Sequence, residues 1–80
     1  MSTIQIQVFA VLKGYFKPEF ELNLSDPTVE GLKNELERLN PASKKILQSC
    51  RFAVNENFVS QEYTIQEHDR IAVIPPSSGG

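Results

Sequence analysis

Apolar and polar residues alternate at the start of this chain, with Ile4, Ile6 and Val8 separated by Gln5 and Gln7. A period of two predicts a strand with one buried face. The same parity turns Phe9 toward the polar face, an unusual placement for a large aromatic. Lys13-Gly14-Tyr15-Phe16-Lys17-Pro18 supplies turn residues. A second alternation follows, with Phe20, Leu22 and Leu24 on one face and Glu19, Glu21 and Asn23 on the other. Two such runs across a moderately short loop predict an antiparallel hairpin. The period then changes. Val29, Leu32, Leu36 and Leu39 recur three and four apart, the spacing of an amphipathic helix. Thr28 can cap its start, although Asp26-Pro27 leaves room for a slightly earlier one. Pro41 ends it, because the residue before a proline resists helical ψ.

Residues 42–49 stay open between a loop and a short helical turn through Ile46 and Leu47. Arg51-Phe52-Ala53-Val54 predicts a third strand with Phe52 in the core, ended by the turn formers Asn55-Glu56-Asn57. Phe58-Val59 can pair back briefly. Glu67-His68-Asp69 marks another turn, and Arg70 to Ile74 forms the last strand. The order is ββαββ, an α+β sheet with one helix packed on one face. The other face meets water unless a partner covers it. Phe9 and Ile74 fall on that outer face by parity and Phe58 can join them, which makes an apolar patch of the kind that marks an interface.

After Ile74 the chain changes character: Pro75-Pro76-Ser77-Ser78-Gly79-Gly80. Two prolines end the strand and favour extended geometry, so six residues can reach roughly 20 Å. A Gly-Gly tip has no Cβ atoms and fits a slot too narrow for other dipeptides. The one reactive group there is the carboxylate of Gly80. The expected organisation is therefore a domain over residues 1–74 and a flexible tail over 75–80 that offers an acyl group to another protein's active site. A bare Gly-Gly ending alone is equally compatible with a frayed terminus; the Pro-Pro brake directly after a strand favours the carrier.

Composition narrows the class further. Eighty residues make one small domain without room for a cleft between two lobes. A net charge of −2 argues against nucleic acid as the main partner. One cysteine excludes an intrachain disulfide and fits a reducing compartment, no apolar run reaches membrane-spanning length, and Met1-Ser2-Thr3 begins no signal-peptide pattern. The expectation is a cytoplasmic protein with no membrane contact. Cys50 and His68 are single residues far apart, without the base and orienter that nucleophilic catalysis needs or the additional ligands that a metal needs. Cys50 reads as a small buried hydrophobe and His68 as a solvated turn residue. No bound cofactor is expected. The chemistry lies at the terminus, whose carboxylate becomes an electrophile only once adenylated; a sulfur donor can then displace AMP and leave a thiocarboxylate.

The ββαββ order, Thr28-Val29-x-x-Leu32, Ala53-Val54-Asn55 before a turn, and Ile71-Ala72-x-x-Pro75-Pro76-x-x-Gly79-Gly80 resemble the small subunits of molybdopterin synthase, as does Phe9-Ala10-x-x-Lys13. These are ubiquitin-like β-grasp sulfur carriers. The resemblance spans nearly the whole chain, and its most specific element is the ending. It implies a mixed sheet with the first and last strands parallel at its centre. It also implies a cycle in which an E1-like adenylating enzyme activates Gly80 with ATP and a sulfurtransferase supplies sulfur. The tail then enters the synthase large subunit, within a heterotetramer, and the thiocarboxylate gives sulfur to cyclic pyranopterin monophosphate. The carrier is then a non-catalytic subunit whose partner-binding residues are Pro75, Pro76, Ser77, Ser78 and Gly79 with Ile74, Phe9 and Phe58. Three positions depart from the family pattern. His68 stands where a glycine is usual, and histidine tolerates a left-handed turn better than most residues. Ile74 and Ser77 replace an aromatic and a valine, which points to a channel fit that is either looser or tuned to a divergent partner. Two other readings fit the same features: a carrier for thiamin synthesis or tRNA thiolation, and a β-grasp interaction module with an inert tail.

Overall fold

The computed structural model describes residues 2–76. Strand β1 (Ser2–Val8) runs antiparallel to β2 (Glu19–Leu24), with Ile4 opposite Leu22 and Ile6 opposite Phe20. That register puts both apolar rows on one face, as the alternation requires. The connection is more ordered than a turn: Ala10–Gly14 forms a 3₁₀ helix that buries Leu12 completely. Ala10 enters it at φ 53°, in the left-handed region.

Helix α1 (Val29–Leu39) begins where Thr28 predicts, its hydroxyl accepting the Gly31 N–H at 3.0 Å. Val29, Leu32 and Leu36 are buried, whereas Leu39, the last residue of the helix, is largely exposed. Asn40 closes this end. Its side-chain amide donates to the Tyr15 carbonyl at 3.1 Å, and its side-chain oxygen accepts from the Ala42 N–H at 3.2 Å. Residues 41–48, open in sequence, are helical: a 3₁₀ turn (Pro41–Ser43) leads into α2 (Lys44–Gln48), which drives Leu47 into the core.

Three strands follow, β3 (Arg51–Val54), β4 (Asn57–Val59) and β5 (Arg70–Ile74). The brief return at Phe58-Val59 is thus a strand in its own right, because Asn55 and Glu56 both take positive φ and close a two-residue hairpin; with α2 the full order is ββααβββ. The sheet order is β2-β1-β5-β3-β4, with β1 and β5 parallel near the centre and the other pairs antiparallel. This is the mixed β-grasp sheet that the resemblance implies. Ile4, Ile6, Val8, Phe52, Val54, Ile71 and Val73 face the helix layer and form one core with Leu32, Leu36 and Leu47. At about 25 cal/mol per Å² of apolar area removed from water, this cluster is the main source of stability.

Residues 60–66 close the open end of α1. The Val29 and Glu30 N–H groups donate to the carbonyls of Tyr63 and Gln61, both at 3.0 Å, and the Ile65 N–H donates to the Pro27 carbonyl at 2.7 Å. The first donors of the helix are therefore spent inside the fold. Asp69 holds that segment in turn: its buried carboxylate accepts from the Tyr63 hydroxyl at 2.6 Å and the Gln66 N–H at 2.8 Å. The hydrogen bond to Asp69 raises the Tyr63 phenol above its ordinary value, with burial adding to the effect.

Candidate docking face and tail root

Strand register fixes what the sheet shows to water. One row across the outer face runs Glu19, Gln7, Ala72, Ala53, Phe58, and the next carries Ile74 beside Arg51. The middle of the face is thus floored by two alanines. Their missing bulk leaves a trough of about 430 Å³ whose lining includes Gln7, Phe9, Ala53, Ala72 and Ile74. Phe9 lies on the outer face, 36% exposed, and Phe58, 62% exposed, lies opposite Ala53 on the neighbouring edge strand. Phe9 and Ile74, expected there from parity, and Phe58, expected to be able to join them, thus fall on one face of the sheet. The β2 side is polar by contrast: Thr3 donates to Asn23 at 2.7 Å and the Gln5 side-chain amide hydrogen-bonds Glu21.

Where β5 ends, the face becomes the root of the tail. Pro75 is buried and Pro76 exposed, and with Ser49, Arg51 and Ile74 they line a second hollow of about 510 Å³. The domain boundary expected at residue 74 therefore has one proline of the tail packed on the body. Ser77, Ser78, Gly79 and Gly80 lie outside the described residues, and the expected roles of these four rest on sequence.

Sequence reasoning did not anticipate Arg51. Its guanidinium lies over the Phe58 ring, 5.4 Å from the centroid, a cation–π contact between neighbouring strands. The signal was available: an exposed position of β3, one residue before the buried Phe52, falls diagonal to Phe58 only once the Asn55-Glu56 hairpin fixes the register. The buried Asp69 was missed because its partners, Tyr63 and Gln66, are brought to it by loop geometry.

The candidate chemistry of the body is weak. The Cys50 thiol donates to the Ile46 carbonyl at 3.2 Å, and partial burial pushes its pKa up to about 11, against a smaller opposing effect of Lys33. A thiol so held is a poor nucleophile at neutral pH. His68 is exposed in the turn before Asp69, and that turn needs no left-handed histidine: the positive-φ non-glycine residues described are Ala10, Asn55 and Glu56. Among the described residues no group of three or more His, Cys, Asp or Glu side chains is placed to hold a metal, and no helix is long and apolar enough to cross a membrane.

The sheet topology, the helix layer on one face and the exposed apolar residues on the other define a ubiquitin-like β-grasp protein. The chain belongs to the ThiS family, whose model matches residues 6–80. It is similar to the molybdopterin synthase sulfur carrier subunit of Dictyostelium discoideum, 36% identical over 84 aligned positions that span 99% of this chain and 98% of that protein. Among solved structures it resembles a putative molybdopterin converting factor subunit 1 from Pyrococcus furiosus. There the TM-score is 0.84 at 21% identity, covering 96% of this chain and all of that one. It also resembles a chain in the complex of subunits 1 and 2 of molybdopterin-converting factor from Helicobacter pylori. In that case the TM-score is 0.73 at 20% identity, covering 98% of this chain and 99% of that one.

Proposed function

We propose that this chain is the sulfur carrier subunit of a molybdopterin synthase, acting in the cytoplasm. The observation that carries this reading is the end-to-end correspondence with a 36%-identical protein of that name. Two structural features support it: an outer face with Phe9 and Phe58 exposed, and a tail that leaves the sheet from the central strand beside that face.

A carboxylate resists nucleophilic attack because the addition places more charge on an anion. An E1-like partner removes this barrier: a Gly80 carboxylate oxygen attacks the α-phosphate of ATP, pyrophosphate leaves, and an acyl-adenylate forms. The persulfide of a sulfurtransferase attacks the acyl carbon and AMP leaves; a second thiol then cleaves the resulting acyl disulfide, which releases the thiocarboxylate and leaves a protein disulfide. The tail then enters the large subunit of a heterotetrameric synthase and transfers its sulfur to cyclic pyranopterin monophosphate. The acid, base and substrate-binding groups belong to that large subunit, so the carrier itself binds no cofactor. Pro75 and Pro76 stiffen the exit, Ser77 and Ser78 extend it, and Gly79 keeps the tip thin enough for the active-site slot.

Mass spectrometry after incubation with the adenylating enzyme, ATP and a sulfur source tests the proposal. The expected product has one oxygen replaced by sulfur at Gly80. A mass gain on Cys50 as a persulfide overturns the thiocarboxylate mechanism. Deletion of Gly79-Gly80 separates this reading from an interaction module, which keeps its function without them.

A further inference from the structure

The charge on the docking face is not evenly spread. Glu19 and Glu21 occupy the outer side of β2, and three strand spacings separate them from β3. At 4.7–4.9 Å per strand that is about 14 Å, beyond the Debye length at physiological salt. Glu56 belongs to the turn at the other end of β3, and Val54, just before that turn, is already about 10 Å from Arg51 along the strand. Arg51 itself makes no ion pair among the described residues. Its guanidinium is laid on Phe58, and the residue also lines, with Ser49, Ile74, Pro75 and Pro76, the hollow at the tail root. Lys33 and Arg51 also line a neighbouring hollow, which adds a second cation on this side of the fold.

We infer that Arg51 is a specificity-determining residue of the docking face: its guanidinium, oriented by Phe58 beside the tail root, receives a carboxylate from the synthase large subunit. The inference rests on the sulfur-carrier reading above and adds the chemistry of the partner, an apolar surface carrying an acidic side chain at the mouth of the slot that takes the tail. Stacking leaves the edge of the guanidinium fork free while restricting its rotation, which suits two parallel hydrogen bonds to a carboxylate. The position matters as much as the charge. Arg51 is the β3 residue paired with Ile74, the last strand residue before the prolines, so a contact made there fixes the direction in which the tail leaves.

Titration calorimetry of the purified chain against its synthase large subunit, at low and at high salt, tests this. Arg51→Glu is expected to weaken binding at least about tenfold and to abolish most of its salt dependence. Arg51→Lys is expected to lose about threefold, since it keeps the charge without the fork. Both variants should melt with the wild type, because the side chain is exposed and buries nothing in the core. Binding by Arg51→Glu within about twofold of wild type, with unchanged salt dependence, overturns the inference and leaves the carrier reading intact. Absence of binding by the wild type overturns the carrier reading and this inference with it.

Discussion

Glu56 holds a backbone conformation that side chains rarely adopt, with φ 72° following Asn55 at 51°. Two consecutive positive-φ residues are what a two-residue hairpin needs to match strand twist, and Asn-Gly is its preferred sequence. A non-glycine residue there costs about 1 kcal/mol, and glycine returns part of that through a freer unfolded chain. Glu56→Gly should therefore stabilise the domain by about 0.5 kcal/mol, raising the melting temperature by about 2–4 °C. A lower melting temperature would show that the Glu56 side chain contributes more than its backbone costs. Cys50 gives a second expectation at this scale. With its thiol pushed up to about 11, the reactive thiolate is scarce near neutrality. Alkylation by iodoacetamide should be slow at pH 7 and keep accelerating past pH 10, where an ordinary thiol has levelled off. A plateau reached by pH 10 would mean that the thiol is not shielded. The sign for folding follows: a raised pKa in the folded state means stability present below the ordinary thiol value and lost as pH rises toward 11.

At the scale of elements, the start of α1 depends on a close approach that only glycine allows. A Cβ on Gly31 would lie 2.2 Å from the Asp26 carbonyl oxygen and 2.8 Å from its carboxyl carbon. Backbone cannot retreat there without disturbing Asp26, whose carboxylate accepts from the Thr28 hydroxyl at 3.0 Å, and Thr28 caps the helix. Alanine normally gains up to about 1 kcal/mol over glycine inside a helix. Gly31→Ala should reverse that sign and destabilise by about 1–3 kcal/mol in urea unfolding; an increase in midpoint would mean that the 25–27 loop yields freely. The element pattern was legible where periodicity is local, as in β1, β2, α1 and β5. It was not legible at Ala10–Gly14, where Leu12 is the one buried residue of the 3₁₀ turn and makes no periodic stripe. Nor could a three-residue β4 be assigned before its pairing with β3 was known. Leu39 continued the helical stripe in sequence, yet it ends the helix and is largely exposed, so spacing overstated the buried face by one residue.

Over the whole molecule, one sheet serves two environments, and alternation assigns nearly every side chain to one of them. Phe9 and Ile74 could be placed on the outer face because parity is a property of the strand alone, whereas Phe58 was only able to join them. The alanine floor and the Arg51–Phe58 stack could not, since both arise from side-by-side register among β5, β3 and β4. The pair Phe52 and Phe58 tests the division directly, because both are phenylalanines on adjacent strands facing opposite ways. Phe52 is 5% exposed within the core and Phe58 is 62% exposed on the outer face. Phe52→Ala should cost about 3–5 kcal/mol of folding stability through lost burial and the cavity left behind. Phe58→Ala should cost under about 1 kcal/mol in melts, yet weaken binding to the synthase large subunit by about 2 kcal/mol, roughly thirtyfold. Thermal melts and calorimetry on the two variants separate these outcomes. If Phe58→Ala unfolds the domain while the affinity of the folded fraction stays that of wild type, the outer face is structural. The partner would then have to meet the polar side of α1 instead.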